Sequence, residues 1–126
     1  MANSITTATA RAKFAQAHGT SGTIHKVVKM AFGDGGVDGS NQPIPPVTGA
    51  TALGNERLRK TLDSVSYPVP TTVRFIGSLA EEELVGVDIS EIALVDENDD
   101  IVAIKTFTKK GKDGESEFVY QWDEEF

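Results

Sequence analysis

A glycine-rich, acidic stretch between residues 33 and 39 (GDGGVDG) has the composition of a phosphate-binding or cation-binding loop. A dinucleotide fingerprint would need glycine at position 38, which is Asp38, and a phosphate loop would end in Gly-Lys-Ser/Thr. A calcium loop starting at Asp34 would need an acidic ligand at its twelfth position, which is Pro45. The stretch therefore predicts neither nucleotide binding nor calcium binding.

Residues for acid–base, nucleophilic or metal chemistry are few and poorly spaced. His18 and His25 are the only histidines, and their separation across a glycine-rich break is not a zinc spacing. The carboxylates at 81–83 are neighbours that point in different directions, which is typical of a solvated strand edge. The chain has no cysteine, so thiol nucleophiles and disulfides are excluded. We therefore expect no enzymatic activity, no metal and no cofactor.

An aromatic stripe near the end of the chain has two interpretations. Phe118, Tyr120 and Trp122 alternate with other residues, so they share one face of a predicted strand. Such a face usually fills a core. It could also anchor a partner, or a sugar that stacks on Trp122 or Tyr120.

Composition narrows the class of protein. The 126 residues are 39% hydrophobic and 25% charged, which predicts one globular domain over residues 1–126. A net charge of -7 would repel phosphate backbones, so we expect no nucleic-acid partner. No apolar run approaches the ~20 residues that cross a bilayer, so we expect no membrane insertion.

Periodicity predicts an α+β fold, with an N-terminal helix packed on a mostly antiparallel sheet and a long Pro/Gly loop. The helix covers residues 3–18, with Phe14 as the larger anchor beside a narrow face formed by Ile5, Ala8, Ala12 and Ala15. The remaining predicted elements are a strand at 23–32, a long loop at 33–52, a helix or bent strand at 55–66, and antiparallel strands within 71–122. Within the last region, 92–95 and 101–107 are predicted to form a hairpin.

Several ordered segments together resemble the N-terminal domain of phage tail-collar fibre proteins, the baseplate-proximal part of the tail fibres of contractile-tailed phages. The segments occur in sequence order along most of the chain: Ile5–Ala8, Lys29–Gly35, Pro43–Pro46 with Thr51–Leu53, Asn55-Glu56 with Arg59, and Val87–Asp96.

The resemblance implies a structural role in the virion tail, near the baseplate, for a protein made in the host bacterial cytoplasm. Members of this family generally continue into a long fibre shaft, for which a chain of 126 residues has no room. We therefore expect an attachment or adaptor protein without a shaft. The implied partners are baseplate or tail-fibre proteins and further copies of the chain, with a trimer favoured because tail fibres are generally threefold. The candidate interface residues are Phe14, Gly33, Asp34, Gly35, Pro45 and Trp122.

Overall fold

The computed structural model describes residues 3–126. In these residues one helix and eight strands form a five-stranded sheet, ordered β1-β7-β6-β2-β3, and a three-stranded sheet, ordered β4-β5-β8. All strand pairs are antiparallel. The elements are β1 (Asn3–Thr6), α1 (Ala8–His18), β2 (Val27–Gly33), β3 (Glu56–Thr61), β4 (Ser64–Val69), β5 (Thr72–Leu79), β6 (Asp88–Asp96), β7 (Ile101–Gly111) and β8 (Phe118–Glu125).

The five-stranded sheet is covered on both faces, which explains the apolar runs of its central strand. In β6, Ile92 and Leu94 face the three-stranded sheet, whereas Ala93 and Val95 belong to a second cluster on the opposite face. A strand buried on both faces reads as a continuous apolar run. The predicted hairpin is β6 and β7, and it is confirmed by their antiparallel pairing.

The main core lies between the two sheets. Met30 and Phe32 of β2 pack here against Phe75, Leu79 and the aromatic stripe of β8. A Cβ added at Gly77 would come within 2.7 Å of the Met30 sulfur, so the glycine lets the two sheets approach closely. In each strand that faces this core, alternate side chains point into it.

The opposite face of the five-stranded sheet is covered by the segment between β2 and β3. Residues 34–55 contain no helix or strand, and their only β-bridge joins Val37 to Pro43. Leu53 is only 7% exposed and packs with Ala31, Ala93, Val95, Ile101 and Ile104. The segment thus lies against the sheet as a third layer and does not project from it.

The N-terminal helix begins at Ala8, so the predicted start at residue 3 is wrong. Residues Asn3–Thr6 pair with β7 instead, because a free strand edge is available there. Thr7 is fully buried, and its Oγ1 accepts a hydrogen bond from Ala10 N and donates one to Ile101 O. The predicted contact face is also wrong: Ala8, Ala12 and Ala15 are exposed, and only Ala10 is fully buried in the helix.

Two further elements differ from prediction. The strand predicted at 23–32 is β2, and it starts at Val27 instead of residue 23. The region 55–66, left open as a helix or a bent strand, is the strand β3 followed by the start of β4, so a helix there is wrong. The chain changes sheets at Leu62-Asp63, because β3 pairs with β2 whereas β4 pairs with β5.

The helix is fixed to the β6–β7 turn by a partly buried ion pair. Lys13 Nζ donates to Asp96 Oδ2 and to Asp100 Oδ2, both at 2.7 Å. Asp96 is 2% exposed, and its Oδ1 accepts from the backbone N–H groups of Asn98 and Asp100. Burial alone would raise the pKa of Asp96, but these hydrogen bonds outweigh it and hold the pKa below the usual 3.8.

Asp96→Asn is expected to lower the free energy of unfolding by about 2 kcal/mol near neutral pH, because a charged buried acceptor is lost. The folded-state pKa of Asp96 is depressed, so its contribution exists above the unfolded value of 3.8 and disappears as pH falls through the folded value. Urea unfolding of both proteins from neutral pH to about pH 2 should show the difference shrinking in acid. The exposed Glu117→Gln is the control, and a difference that persists in acid would contradict this account.

Candidate functional site

A buried glutamate lies at the centre of the segments that first suggested chemistry. Glu91 of β6 is 1% exposed and points towards the 34–55 layer. Its Oε2 accepts hydrogen bonds from the backbone N–H groups of Gly35 and Asn55, both at 2.8 Å, and its Oε1 accepts one from Gly54 at 2.7 Å. No ion pair involves Glu91 within residues 3–126. Backbone donors therefore compensate for the burial of this charge.

The glycines of the GDGG stretch are required by this close packing. A Cβ at Gly35 would lie 2.5 Å from Asn55 N, and one at Gly36 would lie 2.2 Å from Ser90 O. Gly36 N also donates to Ser90 Oγ at 2.9 Å. The N–H groups of Gly35 and Gly36 are thus engaged by β6, and that of Asp34 donates to Asn55 O, so these groups do not form an open cradle for a phosphate.

Asp34, the acidic residue of this stretch, is engaged by protein groups as well. Its Oδ1 accepts from Asn55 Nδ2 at 2.7 Å and its Oδ2 from Arg57 Nη1 at 2.8 Å. In the part of the chain that the structure describes, no cluster of three His, Cys, Asp or Glu residues could hold a metal ion. The role that the stretch has in the structure is to join β2, β3 and β6 through hydrogen bonds and an ion pair.

The predicted interface residues occupy three separate places. Gly33 and Gly35 lie against Glu91, the neighbouring Asp34 bonds to Asn55 and Arg57, and Pro45 is exposed on the 34–55 segment. Phe14 of α1 is half-buried and lines a separate apolar groove, which is described below. Trp122 is 4% exposed, with Lys105 Nζ 4.5 Å above its ring. The structure offers no free face of Trp122 for a sugar.

An apolar groove opens at the end of the sandwich where α1, β4 and the last residues of the chain meet. It has a volume of about 840 Å³. Its lining includes Phe14 together with four residues that are strongly exposed for their type: Ile24 (54%), Val65 (47%), Tyr67 (70%) and Phe126 (83%). Large apolar side chains clustered in this way mark contact surfaces for other proteins.

Two carboxylates line the groove, and their pKa values are shifted in opposite directions: that of Asp96 downwards and that of Glu124 upwards. Glu124 lines the groove, and its burial raises the pKa, although a hydrogen bond with Trp122 and the charge of Lys105 partly oppose this. Besides its apolar side chains, the groove therefore contains a carboxylate, that of Glu124, which is more easily neutralised than usual.

Sequence reasoning missed both Glu91 and the groove. An acidic residue inside the apolar run Ile89–Val95 was the available signal for Glu91, since an acid between buried neighbours needs hydrogen-bond donors. No local sequence pattern could indicate the groove, because its lining residues come from most elements of the fold.

Comparison with known proteins gives one match. A family model described as phage tail-collar fibre protein, N-terminal, matches residues 1–118. No curated protein and no solved structure matches the chain significantly. No helix in residues 3–126 has the length and apolar character needed to cross a membrane.

Residues 3–126 form a two-sheet antiparallel sandwich, and the family match defines the class of protein more specifically. The chain belongs to the phage tail-collar fibre protein N-terminal family, which confirms the resemblance seen in the sequence. It is a structural component of a phage tail fibre, located in the virion tail, and it interacts with other tail proteins.

Gly35→Ala is expected to lower the free energy of unfolding by about 2–4 kcal/mol, because the added Cβ forces the backbone at Asn55 away from Glu91. The matched control is Gly39→Ala in the same segment, where an added Cβ meets nothing within 4 Å. Urea unfolding measures both. Equal stability of the two variants would contradict the close packing around Glu91.

Tyr120→Phe tests a second unusual feature of the core. The Tyr120 ring packs near Phe32, Phe107 and Phe118, and its hydroxyl is buried with no hydrogen-bond partner within residues 3–126. Burial raises the pKa of Tyr120 to about 12. Because an unpartnered buried hydroxyl costs free energy, the variant should be as stable as wild type or more stable by up to about 1 kcal/mol. A clear loss of stability in urea would show that the hydroxyl has a partner.

Proposed function

We propose that this domain attaches a tail fibre to the baseplate, acting as an attachment or adaptor module. The observation that carries the proposal is the apolar groove with its exposed residues Ile24, Val65, Tyr67 and Phe126. Exposure of this much contiguous apolar surface is unfavourable in water, so a neighbouring tail protein would stabilise it by covering it.

The 34–55 segment supplies a second contact surface in this proposal. Pro45 is exposed, as are Ile44 at 46% and Val47 at 67%. The backbone beneath them is held to β7, because Thr106 Oγ1 donates to Ile44 O at 2.8 Å. A surface that is ordered before binding loses little entropy when a partner arrives.

We further propose that the domain works as a homo-oligomer, with a trimer favoured by the threefold symmetry general among tail fibres. Its partners would be baseplate or tail-fibre proteins, and it would be made in the host cytoplasm before assembly at the baseplate. The net charge of -7 supports a protein partner over a nucleic acid. The carbohydrate-binding alternative has no support, since Trp122 is enclosed by the core and by Lys105.

Tyr67→Glu is expected to reduce incorporation of the protein into tail particles about tenfold or more, because it places a charge in an apolar contact. Tyr67 lies on a strand whose six residues are all exposed, so the fold should remain stable. Quantitative immunoblotting of purified particles measures incorporation. Val47→Glu tests the 34–55 surface in the same way.

Val85→Glu is the matched control, since this valine is 53% exposed and lies outside the groove and the 34–55 segment. Circular dichroism and urea unfolding should show all three variants folded. Normal incorporation of both Tyr67→Glu and Val47→Glu would contradict attachment through these surfaces.

A further inference from the structure

The four edge strands of the two sheets differ in how well they resist pairing with another chain. The edge strand β1 has only four residues, and β3 carries Arg57, Arg59 and Lys60. The edge strand β4 contains Pro68. Short strands, charges and proline are the usual means of blocking an edge. The fourth edge strand, β8, has eight residues without proline, and its first five, FVYQW, are uncharged.

The edge of β8 borders a slot with a volume of about 330 Å³. The slot lies between β7 and β8, and its lining includes Phe107 and Lys110 on one side and Tyr120 and Gln121 on the other. Consecutive strand residues point to opposite faces of a sheet. A slot that contacts both Tyr120 and Gln121 therefore reaches the backbone edge of β8, which pairs only with β5.

The slot is positively charged in an otherwise acidic protein. Lys105 and Lys110 line it, and neither forms an ion pair with any described residue. Most of the other basic residues are engaged: within residues 3–126, six of these ten form ion pairs, namely Lys13, Lys29, Arg57, Arg59, Lys60 and Arg74. Lys105 instead covers the Trp122 ring. The arrangement is complementary to a carboxylate.

We propose that β8 binds an extended segment of another tail protein as an added antiparallel or parallel strand, with an acidic side chain of that segment entering the slot beside Lys105 and Lys110. The inference names a partner chemistry for the attachment role proposed above, and rests on that role for the partner being a tail protein.

The geometry sets the sequence pattern of the added strand. Backbone hydrogen bonds to β8 would supply affinity, and alternate side chains would enter the slot. The acidic group meets the two lysines, while the apolar neighbours on the same face meet Phe107 and Ile92. The opposite face lies beside Val119, which is 60% exposed and favours a β-branched neighbour.

The test uses two synthetic peptides and the purified chain. The probe is acetyl-TVTETVT-amide, and the matched peptide has glutamine in place of glutamate. Titration is followed by backbone amide NMR and by the fluorescence of Trp122, the only tryptophan. The glutamate peptide is expected to bind about tenfold more tightly, with amide shifts concentrated on residues 118–122.

Lys110→Gln should reduce binding of the glutamate peptide about fivefold and leave the glutamine peptide unaffected, because it removes one charge from the slot. Lys110 is exposed, so the fold should not change. The matched control is Lys109→Gln, the adjacent exposed lysine that does not line the slot, which should change binding less than about twofold.

Equal binding of the two peptides, shifts centred on β4 or on the apolar groove, or no detectable binding would each overturn the proposal. These outcomes are separate from the attachment role. Loss of incorporation in Tyr67→Glu particles together with absent peptide binding would reject the β8 site alone. Specific peptide binding with normal incorporation of Tyr67→Glu and Val47→Glu would retain the β8 site and reject attachment through the groove and the 34–55 segment.

Discussion

The Glu91 carboxylate and the three backbone N–H groups that donate to it connect β6 with the end of β2 and the start of β3, which lie 56, 37 and 36 residues away from Glu91 in sequence. A carboxylate removed from water is costly unless several donors replace the lost hydration, and charge-assisted bonds to backbone N–H groups do this. Once Glu91 is buried, residues 35, 54 and 55 must stay within hydrogen-bond distance of β6. The end of β2 and the start of β3 are then fixed as neighbours.

This constraint explains why the segments that resemble the family occur together in the chain. Gly35, Asn55 and Glu91 come from three of those segments, and the structure joins them in one hydrogen-bonded cluster. The glycines allow the backbone to approach, and the glutamate holds it there. A glycine-rich stretch that resembles a ligand loop therefore serves to hold β2 and β3 against β6. Since both ends of the 34–55 segment meet at Glu91, the residues between can cover the sheet without regular structure of their own.

The sequence was sufficient for those parts of the fold set by local periodicity. The β6–β7 hairpin follows from two apolar runs separated by the turn residues 96–100, and the shared face of Phe118, Tyr120 and Trp122 follows from period two. The helix itself was also predictable, but its start was not. Asn3–Thr6 is a strand because β7 offers it an edge about 100 residues later, a contact that no local pattern encodes. The change of sheet at Leu62-Asp63 and the groove depend on the same kind of distant pairing.

The two sheets differ in how much of their surface other parts of the chain cover. The apolar groove opens between the two sheets, and its lining includes Leu94 and Val102 of the five-stranded sheet and Val65 and Tyr67 of the three-stranded sheet. The larger sheet is covered on its other face by α1 and by the 34–55 segment, and that segment also contacts β7 beyond the residues that pair with β1, where Lys109 N donates to Asn41 Oδ1. The smaller sheet has no such cover. The smaller sheet therefore carries the unblocked β8 edge together with the exposed apolar side chains of Val65, Tyr67, Val69 and Val119, so it concentrates two kinds of surface on which the proposed contacts with tail proteins depend.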